Sequence, residues 1–172
     1  MSQERPGAPV VGGVTPSVAR PNAGVSFPPP LVYAGGLAIA WGLERWRSWP
    51  IVAGAGRMRL VPVALFAIAY CALFGTALAA FRRARTTIVP NRPAAAVVTT
   101  GPYRWTRNPM YVSLVCLYAA GAAWLDSWWG LLVLPLVVLG IDRVVIAREE
   151  RYLATAFPGE YAAYRARVRR WL

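Results

Sequence analysis

Residues 60–81 run for 22 positions without one charged side chain, and nothing else constrains this chain as strongly. At ~1.5 Å of rise per residue, a helix of that length covers the ~30 Å hydrocarbon layer of a bilayer. The stretch is expected to be a transmembrane helix.

Three further apolar runs surround it. Residues 31–43 are apolar and end in Glu44, Arg45, Trp46, Arg47 and Trp49. That run is short for a crossing, although snorkelling arginine and interfacial tryptophan extend it, so a tilted span and a re-entrant helix both fit. Residues 111–125 and 127–141 are separated only by Asp126, and the second continues past Asp142 and Arg143 to Ile146. Two helices in a tight hairpin are expected there, with Asn108 as N-cap and Pro109 in the first turn. Beyond residue 147, Tyr152, Leu153, Phe157, Tyr161, Tyr164, Val168 and Trp171 recur at helical spacing among arginines. That pattern predicts an amphipathic helix along the membrane surface.

The fold class expected is therefore an all-α membrane protein of about four transmembrane helices, with a C-terminal amphipathic helical segment at the cytosolic face. A content of 57% hydrophobic and 15% charged residues, with mean hydropathy +0.41, argues against a soluble globular domain. Residues 1–25, rich in proline and glycine, are expected as a flexible tail, residues 26–81 as an N-terminal membrane hairpin, and residues 82–172 as a functional core.

Charge decides orientation and partners. All nineteen basic residues are arginine and the net charge is +12. Most lie between and after the apolar runs, which suits anionic lipid and a multi-pass protein of the inner membrane with both termini inside. Arg45, Arg47, Arg57 and Arg59 fall on the outer side of that arrangement. No basic helix is interleaved with base-stacking aromatics, so nucleic acid is not expected as a partner. Histidine is absent, which removes His-based triads and the commonest metal ligand. Cys71 and Cys116, each within an apolar run, are expected as buried thiols and not as a disulfide or metal ligands. Gly54-Ala55-Gly56 has Arg59 where a dinucleotide loop needs glycine, and reads as an ordinary loop.

Two places could carry chemistry. Asp142 and Arg143 interrupt an apolar helix, where ionisable groups mark either a functional site or a local ion pair near the membrane surface. Glu149 and Glu150 follow, and Arg104 and Arg107 precede the neighbouring helix, so the four could enclose a zwitterionic ligand. Tyr103, Trp105 and Tyr111 are interfacial anchors or part of that site.

The ordered set Thr86-Thr87, Thr100-Gly101-Pro102-Tyr103-Arg104, Arg107-Asn108-Pro109-Met110-Tyr111, Glu149-Glu150 with Leu153, Phe157, Gly159-Glu160-Tyr161 and Tyr164 resembles the isoprenylcysteine carboxyl methyltransferase and phospholipid methyltransferase superfamily over roughly residues 60–172. Prenylcysteine enzymes of this kind usually carry histidine where this chain has Asn108, and the glycine pair of the phosphatidylethanolamine branch is incomplete near Gly75. The resemblance implies S-adenosylmethionine as methyl donor, held at the cytosolic face, and a lipid-like acceptor entering between helices. It assigns Tyr103, Arg104, Arg107, Asn108, Pro109, Tyr111, Glu150 and Tyr161 to the cofactor, and Arg143, Glu149 and Glu150 to catalysis. A non-catalytic membrane scaffold or transporter-like protein that binds anionic lipid or a partner is the competing reading.

Overall fold

Pro29 and Pro30 open the first helix at positions where a missing N–H costs nothing. In the computed structural model, which describes residues 28–54, 56–86 and 95–172, this helix, α1, spans Pro29–Trp46. The expected tail at residues 1–25 lies outside the described residues. A short 3₁₀ turn, Gly56–Arg59, leads into α2, Leu60–Arg83. A second 3₁₀ turn, Gly101–Arg104, precedes α3, Pro109–Leu125. Asp126 ends α3 in the left-handed conformation (φ 49°), and Ser127 leads at once into α4, Trp128–Gly140. The anticipated hairpin is therefore present. α4 then passes without a break through a π-helical stretch, Ile141–Ile146, into α5, Ala147–Ala156.

The four long helices alternate in direction between two ends of the bundle. At one end Ser127 Oγ donates to Glu44 Oε2 (2.6 Å), the Trp128 amide to the Trp49 carbonyl (2.9 Å) and Trp129 Nε1 to the Arg47 carbonyl (2.9 Å). This clasp fixes the end of α1 to the α3–α4 turn. Arg59 lies 5.3 Å over the Trp124 ring and brings the start of α2 to the same end. At the other end Phe81 of α2 packs edge-on against Tyr103 (5.5 Å), and Tyr33 of α1 reaches the carbonyl of Tyr111 (3.5 Å). Small residues permit the close approach, as in other helix pairs that pack in lipid. A Cβ on Gly36 would sit 2.4 Å from Val137 Cγ2, and one on Gly130 would sit 2.6 Å from Ala122 Cβ.

The outer faces are apolar. Leu65, Ile68 and Leu136 are each more than 60% exposed, and only 11% of the most apolar window of helix 56–83 is buried, far less than in the core helix of a soluble protein. Such a surface suits lipid, where helices satisfy their own backbone hydrogen bonds. Among the described residues no strand forms, and two helices, Gly56–Arg83 and Trp128–Ala156, are long and apolar enough to cross a bilayer. α3 is apolar but shorter, and α1, carrying Glu44 and Arg45, is not among them. Four crossings thus exceed what length and hydropathy support.

Three expectations change. Cys71 is exposed, because α2 turns most of its surface outward, and Cys116 on α3 is half-buried. Asn108 precedes α3 but makes no capping bond; its side-chain amide donates to the Arg170 carbonyl instead (3.0 Å). The C-terminal segment is not one amphipathic helix. Phe157 leaves helical geometry (φ −138°, ψ 63°), Pro158 starts α6, Pro158–Arg167, and residues 168–172 turn back over the loop before α3.

Candidate functional site

Gly101 takes φ +62°, which sets up the 3₁₀ turn that buries Tyr103. Tyr164 of α6 donates to the Tyr103 carbonyl (2.8 Å), and burial raises the Tyr103 phenol well above its ordinary pKa. Tyr161 stands beside Tyr164, its phenol pushed up to about 12, chiefly by burial. Both rings are neutral packing surfaces at physiological pH. They hold α6 against the loop that presents Arg107.

Arg107 Nη2 pairs with Glu150 Oε1 at 2.9 Å, with the two side chains only 9% and 10% exposed. One turn of α3 further on, Tyr111 donates to Glu149 Oε1 (2.8 Å). Arg170 approaches from the opposite side: its Nη2 meets Glu150 Oε2 (2.5 Å) and its Nη1 meets Asp142 Oδ2 (3.1 Å). Trp171 Nε1 donates to Asp142 Oδ1 (2.9 Å). The Glu150 hydrogen bond, opposed in part by burial and reinforced by the two acids' charges, raises the pKa of Arg170, so it stays cationic.

The π-helical stretch explains how Asp142 and Glu150 share one ligand. At 3.6 residues per turn, positions eight apart on an α-helix are ~80° out of register. The wider π turn delays the rotation and returns Glu150 to the face of Asp142, in keeping with the frequent use of π turns at functional sites.

Arg107 Nε and Nη1 are buried and have no hydrogen-bond partner among the described residues. A buried guanidinium with two unused donors is costly unless an acceptor completes it. The residues therefore fit a ligand carboxylate at Arg107 and a ligand cation at the neighbouring acids.

Of the residues singled out by sequence, Tyr103, Arg107, Asn108, Pro109, Tyr111, Glu149, Glu150 and Tyr161 come together at this end of the bundle. Arg104 and Arg143 do not join them. Arg143 is 75% exposed, with Nε 3.7 Å from Asp142 Oδ2. Arg104 is exposed and lines a groove of about 520 Å³ between α2 and α3, together with Trp105, Thr76 and Cys116. Sequence reasoning missed Arg170 and Trp171, which it read as one more turn of amphipathic helix. The available signal was Asp142, a carboxylate in apolar sequence with Arg143 as its only neighbouring cation.

Apolar helices with a buried cluster of ion pairs at one end define a membrane-associated protein with a polar site beside the lipid. Residues 58–160 match the phospholipid methyltransferase family. The chain belongs to that methyltransferase family, within the isoprenylcysteine carboxyl methyltransferase-like superfamily. An uncharacterized protein of Haemophilus influenzae is 42% identical over 66 residues, covering 37% of this chain and 100% of that relative. The cobalt-zinc-cadmium resistance protein CzcN of Cupriavidus metallidurans is 30% identical over 135 residues, covering 76% of this chain. The chain spans about half of that relative's length, 55%. No solved structure matches the chain.

Proposed function

We propose that the protein is an S-adenosylmethionine-dependent methyltransferase acting on a lipophilic acceptor, with its site at the cytoplasmic face of the inner membrane. The observation that carries this reading is Arg107: two buried guanidinium nitrogens, Nε and Nη1, that have no partner among the described residues and stand next to a carboxylate. A free amino acid moiety offers the complementary pair, a carboxylate for Arg107 and an ammonium for Glu150. When bound, S-adenosylmethionine supplies an electrophilic methyl group on a sulfonium.

The protein's own work is alignment and exclusion of water. Arg107 and Glu150 orient the amino acid end. Tyr103, Asn108, Pro109 and Tyr161 form the packed wall that keeps Arg107 fixed and dry. Tyr111 holds Glu149, which would accept a proton if the acceptor were an amine and would be unnecessary for a carboxylate. The groove between α2 and α3 has mostly apolar walls with Arg104 among its lining residues, which suits an acyl or prenyl chain carrying an acidic head. Arg143, on an exposed face, would meet headgroups at the same depth.

Charge asymmetry supports the orientation. The end with the site carries Arg82, Arg83, Arg85, Arg104, Arg148, Arg151, Arg165, Arg167 and Arg169 besides the cluster, whereas the clasped end carries Arg45, Arg47, Arg57 and Arg59. Such a bias keeps the richer end in the cytoplasm, with α1 as a fourth, tilted span.

Calorimetry of the purified protein with S-adenosylhomocysteine tests the reading. Micromolar binding that Arg107→Ala and Glu150→Ala each weaken is expected, followed by transfer of labelled methyl groups into membrane lipid extracts. Binding of anionic lipid without any nucleoside binding would replace the enzyme with a scaffold.

A further inference from the structure

Arg107 and Arg170 both pair with Glu150, yet they are held very differently. Arg107 is 9% exposed and emerges from a loop packed under α6; Arg170 is 33% exposed and belongs to the returning segment 168–172. That segment packs Val168 and Trp171 against the core and is otherwise attached by separate polar contacts. The Arg107 amide donates to the Arg169 carbonyl (2.9 Å), Thr106 Oγ1 and Asn108 Nδ2 donate to the Arg170 carbonyl (3.1 and 3.0 Å), and Trp171 donates to Asp142 (2.9 Å). Trp171 is half-buried against the core, while Leu172 is 80% exposed. Apart from the Arg170 ion pairs and the Trp171 bond to Asp142, which a competing cation would replace, only a few neutral hydrogen bonds hold the segment, so it can open without disturbing the bundle.

We propose that Asp142 and Glu150 form a subsite for a ligand ammonium group, and that Arg170 is its displaceable internal occupant. The inference rests on the methyl-donor reading above and adds a residue and a carboxylate to it. Two observations point the same way independently. The unpartnered donors of Arg107 call for an anionic group on one side of Glu150, and the chain's own guanidinium already bridges both acids on the other. A ligand with carboxylate and ammonium on one carbon satisfies Arg107 while competing with Arg170 for Glu150. A nucleoside thioether without the amino acid moiety makes neither contact and leaves the segment latched. Arg170 thereby acts as a positioning and specificity residue: only a zwitterionic donor removes it.

The test titrates wild-type protein, Arg170→Gln, Trp171→Phe and Arg107→Gln with S-adenosylhomocysteine and with 5′-methylthioadenosine. Calorimetry and amide hydrogen exchange are the readouts. In the wild type, S-adenosylhomocysteine is expected to increase exchange at Arg107 and across 168–172, and methylthioadenosine to leave both unchanged. Removing the competing charge in Arg170→Gln tightens S-adenosylhomocysteine about tenfold, the scale of one charge-assisted hydrogen bond. Trp171→Phe, which loosens the latch without changing charge, tightens it by a smaller factor. Weaker binding by Arg170→Gln, or slower exchange at 168–172 on binding, overturns the proposal. If Arg107→Gln still abolishes binding in that case, the donor reading survives. Absence of binding by the wild type and by all three folded variants removes both.

Discussion

Arg107 Nη2 lies 2.9 Å from Glu150 Oε1, a buried ion pair that ties the loop before α3 to the first turn of α5. The pair is asymmetric. Glu150 keeps Arg170 if Arg107 is lost, whereas the Arg107 guanidinium has no other partner among the described residues. Removing one member of a buried pair costs about 3–5 kcal/mol when the other charge is stranded. Glu150→Gln should therefore destabilise the protein by about 3 kcal/mol, and Arg107→Gln by clearly less. Thermal unfolding in detergent measures the difference; equal losses would mean that Arg170 does not compensate.

Tyr111 and Glu149 link α3 itself to α5. Tyr111→Phe removes the one donor that, among the described residues, reaches Glu149 Oε1, at a cost of about 1–3 kcal/mol for a buried acceptor left unsatisfied. Glu149→Gln retains an oxygen acceptor for the Tyr111 hydroxyl and should cost less. Chemical denaturation of the two variants, compared in one detergent, orders them.

The clasp at the far end should be separable from function. Glu44 accepts from Ser127 Oγ (2.6 Å), Ser48 Oγ (2.6 Å) and the Trp49 amide (2.9 Å), and Ser127 is fully buried. Glu44→Ala leaves the Ser127 hydroxyl unpaired and is expected to lower stability by about 2 kcal/mol. Affinity for S-adenosylhomocysteine should stay within twofold, as calorimetry on the folded fraction would register.

Helix packing gives a contrast among glycines. A Cβ at Gly130 would meet Ala122 Cβ at 2.6 Å and its Cα at 3.2 Å, groups that cannot rotate away. At Gly121 the nearest atom, 2.5 Å away, is the end of the Leu37 side chain, which can change rotamer. Gly130→Ala should cost about 1–3 kcal/mol by overpacking, and Gly121→Ala markedly less. Melting temperatures of the two variants check the order.

Much of the architecture was legible in the sequence because lipid imposes a simple rule on it. Residues 60–81 had no charge to place, Asp126 was the only break in a long apolar stretch, and Pro109 could only begin a helix. Hence α2, the α3–α4 hairpin and the start of α3 appear where residue type and spacing put them. The pairing of the loop around Arg107 with Glu149 and Glu150 was also readable, since a short hairpin must return its two ends to the same side.

What spacing could not convey was angular register and chain reversal. Only the π-helical stretch decides that Asp142 and Glu150 share a face, and only the break at Phe157 and Pro158 lets residues 168–172 fold back. The periodicity of Tyr161, Tyr164, Val168 and Trp171 runs past the end of α6 at Arg167, so it suggested a longer helix where the chain in fact reverses. One-dimensional pattern determined which segments are apolar enough to enter lipid, because that depends on composition summed along a helix. Tertiary packing decided which arginine reaches which carboxylate, because that depends on a few degrees of rotation and one turn of the backbone.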